Sequence, residues 1–565
     1  MKKSTKTRIK KIVIFSVLTV TVSVGAFIYM VMGPLRSFFW NLPYLAGFLG
    51  PRNYLVLIQN DNELRPTGGF ITAVGKVSTL FGVTSLEVSD SYQIPDPSPR
   101  LPEPEPFHYF IGQNDPFFAG WTLRDANFSP DFAHSSRNVL DLYRRAYPNQ
   151  SIDAVFAIDF SAFERLLELY GPMEIEGTQF DQNNFFLLSQ RLSKDVDTHN
   201  VNQLNSRKDV MKPLASELLN SMIWSPLRYR KLFHTLHQLG QEKHLLAYSA
   251  SESFQGKLEQ FGLTNSIRQE DSASDFLHVN VANIGGRKAD RYVTKDVKYR
   301  ADFSNPQQHR SVLELSLEHL GNYNIQSDIY QAYVRSYVPL GSRLLSSSGT
   351  SLRSTEVGAD LDLTTFADYV RLKPGDTLTL SYEYQLPDSV MATDYRLRVV
   401  KQPGIQNQNW QVAVKQANDS TMIESSDSEP MTIREELALW RGIPATDLDF
   451  HLLLQNDGLA PIILWQKFES LTTINVRFQE NLDIQTATNA SHFAIRDMDQ
   501  KNALQDTIVV QSARFSERDL WLTVSGVTDL PEEHYELEIR DIRDQSGNLI
   551  DPNPLLRTLV QRLHE

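Results

Sequence analysis

YLVLIQNDNELRPTGGF, residues 54–70, is the stretch on which the fold turns. Its opening, Tyr54-Leu-Val-Leu-Ile58, has the length and branched content of a buried strand. The run stops in a polar cluster, Asn60-Asp61-Asn62-Glu63, then passes through Arg65 and Pro66 to Gly68-Gly69. In α/β domains ligand sites form at strand ends, because backbone groups and side chains converge there in a crevice. Arg65 is the permanent cation of the stretch, and its planar fork suits a carboxylate or a phosphate. The paired glycines permit positive φ or a close backbone approach. The alternative reading is a strand, a turn and a salt-bridged arginine with no ligand.

Upstream, Lys2, Lys3, Lys6, Arg8, Lys10 and Lys11 precede an uncharged run over residues 12–32, closed by Gly33-Pro34. About 20 apolar residues at a rise of ~1.5 Å cross the ~30 Å hydrocarbon core of a bilayer. The basic flank puts the leader, 1–11, in the cytoplasm and the remainder outside. A cleaved signal peptide has a shorter apolar region and a small-x-small site. This run ends in bulky Phe27, Ile28, Tyr29 and Met30, so the expectation is an uncleaved, single-pass anchor in the plasma membrane. Phe38, Phe39, Trp40 and Tyr44 follow as an outer interfacial belt.

No residue of the chain is cysteine, which excludes a disulfide framework, a thiolate zinc site and a cysteine nucleophile. The formal net charge is −13 even with the basic leader included, which argues against nucleic acid as a partner. The roughly 530 residues beyond the anchor suffice for three or four domains of about 100–200 residues each.

Residues 53–280 read as mixed α/β. Segments 70–77 and 83–88 form a hairpin ending at Ser89-Asp90-Ser91, and a proline-rich loop, 94–106, follows as a stiff surface loop or a lid. Then comes LRDANFSPDF, 123–132, before an amphipathic helix over 136–147. Asp131 is placed to cap that helix; alternatively one of the carboxylates of this stretch meets Arg65 or a metal. Arg124, Asp125 and Asp131 fall within eight residues, more than a cap requires. A strand at 152–158 leads into a helix over 159–170, with Asp159 or Ser161 as cap, Ser161-x-x-Glu164 as a capping box and Gly171-Pro172 as its stop. A further helical pattern runs from Asn205 to Met222 and carries Arg207 and Lys208. His234, His237 and His244 show no metal spacing and read as helix-surface residues.

LVLIQNDNELRPTGGF, DANFSPDF, AVFAIDFSAFERLLELYGPMEI, SRKDV and DFLHVNVANIGGRK, in that order, resemble an uncharacterised bacterial family of single-pass, extracytoplasmic proteins carrying a domain of unknown function. The resemblance covers about residues 54–403. That family is distantly similar to the LytR–CpsA–Psr enzymes, which transfer glycopolymers from a polyprenyl-pyrophosphate carrier to the cell wall. The shared order is strand, hairpin, a DxVxxxDFxxFxxLxxLxGPxxI-like unit, then a helix with basic residues. By that similarity Leu86-Glu-Val-Ser-Asp90 falls where those enzymes carry an arginine–aspartate pair, and Arg207-Lys208 where they carry a second arginine motif. Here the first place has Ser89-Asp90 and no arginine, and the second is Arg-Lys. A reduced cation set bears on catalysis more than on fold, since several cations bind the pyrophosphate and offset charge on the leaving group.

Beyond residue 280 the texture is β. Asn283-Ile-Gly-Gly-Arg-Lys288 reads as an anion-binding turn or a plain one. Segments 293–301, 311–317, 330–338 and 377–386 alternate apolar and polar residues, as in an antiparallel sandwich over 281–425. A linker and connecting segment is expected at 426–470. Residues 471–565 resemble the Ig-like domains of bacterial surface proteins, with Asp541, Asp544 and Asp551 in a hairpin turn or a calcium site. The expected fold is therefore multidomain: an N-terminal transmembrane helix, an α/β LytR–CpsA–Psr-like domain, a β-sandwich and a C-terminal Ig-like β domain.

Two functions follow. The first is an enzyme of the LytR–CpsA–Psr type, a phosphotransferase acting on a lipid-linked glycopolymer with Mg²⁺. Asp90, Asp125 and Asp131 would be catalytic, Asp90 and Asp125 metal ligands, and Arg65, Arg124, Arg207 and Lys208 pyrophosphate clamps. The second is a non-catalytic envelope protein that binds a lipid-linked glycan and holds a cell-wall or protein partner through its β domains.

Overall fold

The computed structural model describes residues 42–112, 120–193, 211–305, 308–324, 327–349, 352–415, 421–424, 430–434, 437–455, 460–498, 508–516, 518–527, 535–544 and 547–561. The expected anchor at 12–32 and the pair Arg207-Lys208 lie outside these residues. Among the described residues no helix is long and apolar enough to cross a membrane. They form a multidomain, mostly β protein built on several sheets.

The apolar run at 54–58 lies within β1 (Arg52–Asn60), the middle strand of a five-stranded mixed sheet. β2 (Phe70–Leu80) and then β3 (Val83–Asp90) lie on one side of it, both antiparallel to their neighbours. β4 (Ala154–Asp159) runs parallel to β1 on the other side, and β5 (Leu245–Ser249) pairs antiparallel with β4 at the edge. Helix α1 (Phe132–Ala146) covers one face, packing Val139 and Leu142 on Leu55 and Leu57. On the other face α2 (Phe160–Tyr170), α3 (Met211–Trp224) and α4 (Tyr229–Gln241) pack Phe163, Leu167, Leu214 and Leu239 against Ile58. A strand covered on both faces is apolar at successive positions, which is why 54–58 reads as a continuous run. Helix α1 begins at Phe132, four residues before the expected start, because Asp131 accepts the His134 amide at 2.8 Å and caps it there.

The second unit is a sandwich of two seven-stranded sheets. It opens with β6 (Asp275–Asn283), buried at every position, between Tyr330–Val338 and Asp394–Val400. The boundary expected at 281 thus falls at 275. The expected linker at 426–470 is likewise corrected. Thr432–Arg434, Leu437–Gly442 and Leu448–Gln455 are strands of the two sandwich sheets, and Ile463–Ser470 belongs to the third unit. Thr421–Glu424 and Thr432–Arg434, on either side of the start of the expected linker, pair with Leu448–Gln455 and Leu437–Gly442 of the same two sheets. A polar stretch can be a loop between two strands of one sheet as well as a link between domains.

The third unit, from Ile463 to Gln561, packs a five-stranded sheet on a three-stranded one around Ile474, Phe478, Leu522 and Leu537. Asp394 of the sandwich joins it through Arg518 at 3.4 Å and Asn481 at 3.2 Å.

Candidate functional site

Arg65 lies at the end of β1 as expected, but it faces protein. Its side chain is 2 % exposed. Nε and Nη2 donate to Asp125 Oδ1 at 3.2 and 2.9 Å, Nη2 reaches Glu63 Oε1 at 3.4 Å, and Nη1 donates to the Asn283 carbonyl at the end of β6. The Phe70 and Phe107 rings lie 5.4 and 5.7 Å from its guanidinium carbon. Two carboxylates, a carbonyl and two rings therefore take up a cation that sequence reasoning offered to a pyrophosphate, and they join the α/β unit to the sandwich.

The rest of the stretch builds the same junction. Leu64 N–H donates to Asp290 Oδ2 at 2.8 Å, and the Asn283 amide donates to the Leu64 carbonyl at 2.9 Å. Gln402 bridges the two units, donating to the Arg65 and Val281 carbonyls at 3.3 and 2.8 Å and accepting the Val281 amide at 2.8 Å. Gly404 has φ +75°, and a Cβ there would stand 2.0 Å from the Gly68 carbonyl oxygen. Gly68 itself has φ +127°, and a Cβ on Gly69 would stand 2.3 Å from the Asn60 backbone, so the pair serves both uses the sequence allowed. The segment that follows the proline-rich loop is pinned as well: Phe107 and Phe110 are buried against Ala282, Tyr333 and Tyr369 of the sandwich.

The other expected site residues are partly gathered and individually occupied. Arg124 is buried beside Arg65's partner Asp125, 3.5 Å from Asp96 and with its guanidinium carbon 4.7 Å from the centre of the Tyr92 ring. Asp90 accepts the Tyr92 amide at 3.0 Å. Asp131 caps α1 and also accepts the Ile267 amide at 3.3 Å. Asp90 and Asp125 do not suit Mg²⁺. One is a turn cap, the other is paired with Arg65, and among the described residues no three His, Asp or Glu groups could hold a metal.

The cavity at this junction lies on the other side of the same loop, where Asp61 and Asn62 precede Arg65. It is an open cleft of about 640 Å³ between α2 and the sandwich segments 290–295 and 404–407. Asp61, Ser161 and Glu164 line it from the α/β unit, and Asp290, Arg291 and Gln406 from the sandwich. Asp61 is 9 % exposed. Its Oδ2 accepts both the Ser161 hydroxyl and, at 3.3 Å, the Ser161 amide, while Gln406 Nε2 donates to the Ser161 oxygen. Ser161 therefore holds Asp61 instead of capping α2; Asp159 caps it, accepting the Ala162 amide at 2.9 Å.

Burial, and then the charge of Asp159, push the Asp61 carboxyl up to about 7. Asp159 pairs with His244 Nδ1 at 2.6 Å. Burial alone would lower the pKa of His244, but the Asp159 carboxylate outweighs it and the net shift is upward. His244 is thus a buried partner in an acid network and not the surface residue its sequence position implied. Burial raises Glu164, Arg291 opposes that rise, and Asp159 adds to it. A carboxyl poised near neutrality beside a hydroxyl, as Asp61 is, can exchange a proton with a bound molecule. Asp61, Ser161, Glu164, His244 and Gln406 were not singled out as site residues. The D-x-S-x-x-E spacing of 159–164 gives a helix start its capping pattern, which masked the site.

Residues 49–191, roughly a quarter of the chain, match the family described as "Protein of unknown function (DUF4012)". No curated protein matches the chain. Among solved structures, the N-terminal part of the bacterial S-layer protein SbsC is 20 % identical over 19 % of this chain and 24 % of its own, with a TM-score of 0.15. The chain thus spans about a quarter of that structure. Protein gbs0355 from Streptococcus agalactiae is 10 % identical over 40 % of this chain and 76 % of its own, TM-score 0.24. Lin1025 from Listeria innocua is 10 % identical over 40 % and 85 %, TM-score 0.21. Likeness at this level carries no argument about function.

Proposed function

We propose that the protein is a membrane-anchored, extracytoplasmic cell-envelope protein that binds the glycan of a lipid-linked glycopolymer in the cleft between its α/β unit and its sandwich. The lining of that cleft is the observation that supports this. It brings side-chain amides from Asn62, Asn183 and Gln406, the carboxyls of Asp61 and Glu164, and the Tyr292 ring to one surface. Sugar hydroxyls both donate and accept, so amides and carboxyls suit them. The C–H faces of a sugar ring pack on aromatic rings. A pyrophosphate would need several free cations; Arg65, Arg124 and Lys295 each stand beside a carboxylate, and Arg291, on the cleft wall, packs over the Phe186 ring and faces Glu164.

Titration calorimetry of the purified chain with soluble peptidoglycan fragments and N-acetylglucosamine oligosaccharides tests the reading. Binding is expected, with Asn183→Ala about tenfold weaker, the loss of one hydrogen bond of about 1–1.5 kcal/mol. Absence of binding to every glycan tried, or equal affinity in the variant, would sink it.

The second reading is transfer by a LytR–CpsA–Psr-like enzyme. Its support is Asp61, near neutrality and hydrogen-bonded to the Ser161 hydroxyl within the cleft. Transfer of the glycan phosphate to a cell-wall hydroxyl with release of polyprenyl phosphate, lost in Asp61→Asn, is the outcome it requires.

A further inference from the structure

The α/β unit carries an apolar patch at the end of its sheet opposite the cleft. Two uncharged segments make it, residues 42–51 and residues 77–86. Leu49 is 71 % exposed, Phe81 65 % and Val83 75 %, and Phe48 and Leu80 stand beside them in the open. Hairpin tips of soluble domains are ordinarily polar, and contiguous exposed apolar surface marks a contact.

The patch is built, not loose. The Phe81 and Gly82 amides donate to the carbonyls of Gly47 and Ala46 at 3.2 and 2.8 Å, and Thr79 Oγ1 donates to Leu45 at 2.9 Å. The Phe48 and Phe81 rings meet edge to face at 6.5 Å. Phe81 and Gly82 both have positive φ, +49° and +80°. A two-residue turn of that kind favours asparagine or glycine, and a bulky aromatic there is strained. The strained residue is also one of the most exposed aromatics, so the turn presents a large apolar side chain outward where local energetics disfavour it.

We propose that this patch rests in the outer leaflet of the bilayer spanned by the 12–32 run, an inference that depends on the anchored reading of that run. Nine residues, 33–41, separate the run from the first described residue, Leu42. They reach at most about 30 Å, and Phe38, Phe39 and Trp40 lie among them. The patch is therefore tethered within about 30 Å of the hydrocarbon core, near enough to reach it, and insertion of its side chains buries the exposed apolar area. Arg52 pairs with Thr79 at the hairpin end of β1, and Asn60 leads to the cleft at the other end. Nine residues of strand at about 3.3 Å each then hold the cleft roughly 25–30 Å above the membrane. At that height it meets the sugar chain of a lipid-linked glycan and not its pyrophosphate.

The chain has no cysteine, so single nitroxide labels can be placed without background. Full-length protein in lipid nanodiscs would carry a label in Phe81→Cys, Leu49→Cys, Val20→Cys or Ser348→Cys. Each is read by its accessibility to oxygen and to a water-soluble nickel chelate. Labels at 81 and 49 are expected to favour oxygen severalfold, like the label at 20, with 348 exposed to nickel. If Phe81→Cys misfolds, Leu49→Cys decides alone. Nickel exposure at 49 and 81 with lipid burial at 20 overturns the seat and keeps the anchor. Nickel exposure at 20 removes the anchor and the seat together. Spin–spin broadening at 81 would show a second copy in place of lipid and overturn the proposal.

Discussion

Arg65 and Asp61 lie four residues apart on one loop, and both are buried at the junction of the same two units. Arg65 meets Asp125, Glu63, a carbonyl and two rings, so its charge is complemented on every side the structure describes. Asp61 faces a second carboxylate, Asp159, and is held by a hydroxyl and an amide, so its charge is opposed and its proton retained. Burial is common to both; what separates them is whether the buried charge finds its complement. A complemented charge fixes structure. An opposed one beside an open cleft is available to a ligand.

The largest effect should come from the complemented side. Arg65→Ala leaves the Glu63 and Asp125 carboxylates without their cation and should cost about 3–5 kcal/mol in urea unfolding. Arg65→Lys should recover only part, since a point charge does not reproduce the fork. A loss below about 1 kcal/mol would show that the junction does not depend on this pairing.

Asp61 should behave in the opposite sense, with a pH signature. Its folded pKa of about 7 exceeds the ordinary 3.8, so between those values the folded state keeps a proton that the unfolded state has released. Stability from this group is full below about pH 4 and is lost as the pH rises to about 7. At about 1.4 kcal/mol per unit the penalty above pH 7 reaches up to about 4 kcal/mol. Asp61→Asn should therefore raise the melting temperature at pH 8 and leave it unchanged at pH 4. Coincident melting curves at pH 8 would mean that the carboxylate is not opposed.

Gln402→Ala strands the Val281 amide and two carbonyls inside the junction and should cost about 1–3 kcal/mol. A cost near zero would mean that water enters to replace the side chain. The smallest effect should be that of Asp131→Ala, the loss of a helix cap, about 1 kcal/mol, with glycan affinity unchanged. A large loss of affinity at constant stability would return Asp131 to the site.

The sequence alone determined the elements whose physics is local. A continuous apolar run bounded by a polar cluster became β1, and D-x-S-x-x-E followed by Gly-Pro became α2. The apolar–polar segments at 293–301, 311–317, 330–338 and 377–386 became sandwich strands within a few residues. Asp131 as a cap was legible for the same reason, because its partner lies three residues on. Only the tertiary structure decided what each buried charge faces. Asp125 is 60 residues from Arg65, Asn283 is 218, and Gln402 is 337. Ser161 lies 100 residues from Asp61, His244 lies 85 from Asp159, and Gln406 lies 245 from Ser161. Side-chain type and short-range spacing carry propensity. The sign and distance of a neighbouring charge, and whether water still reaches it, are set by chain segments that no local pattern brings together.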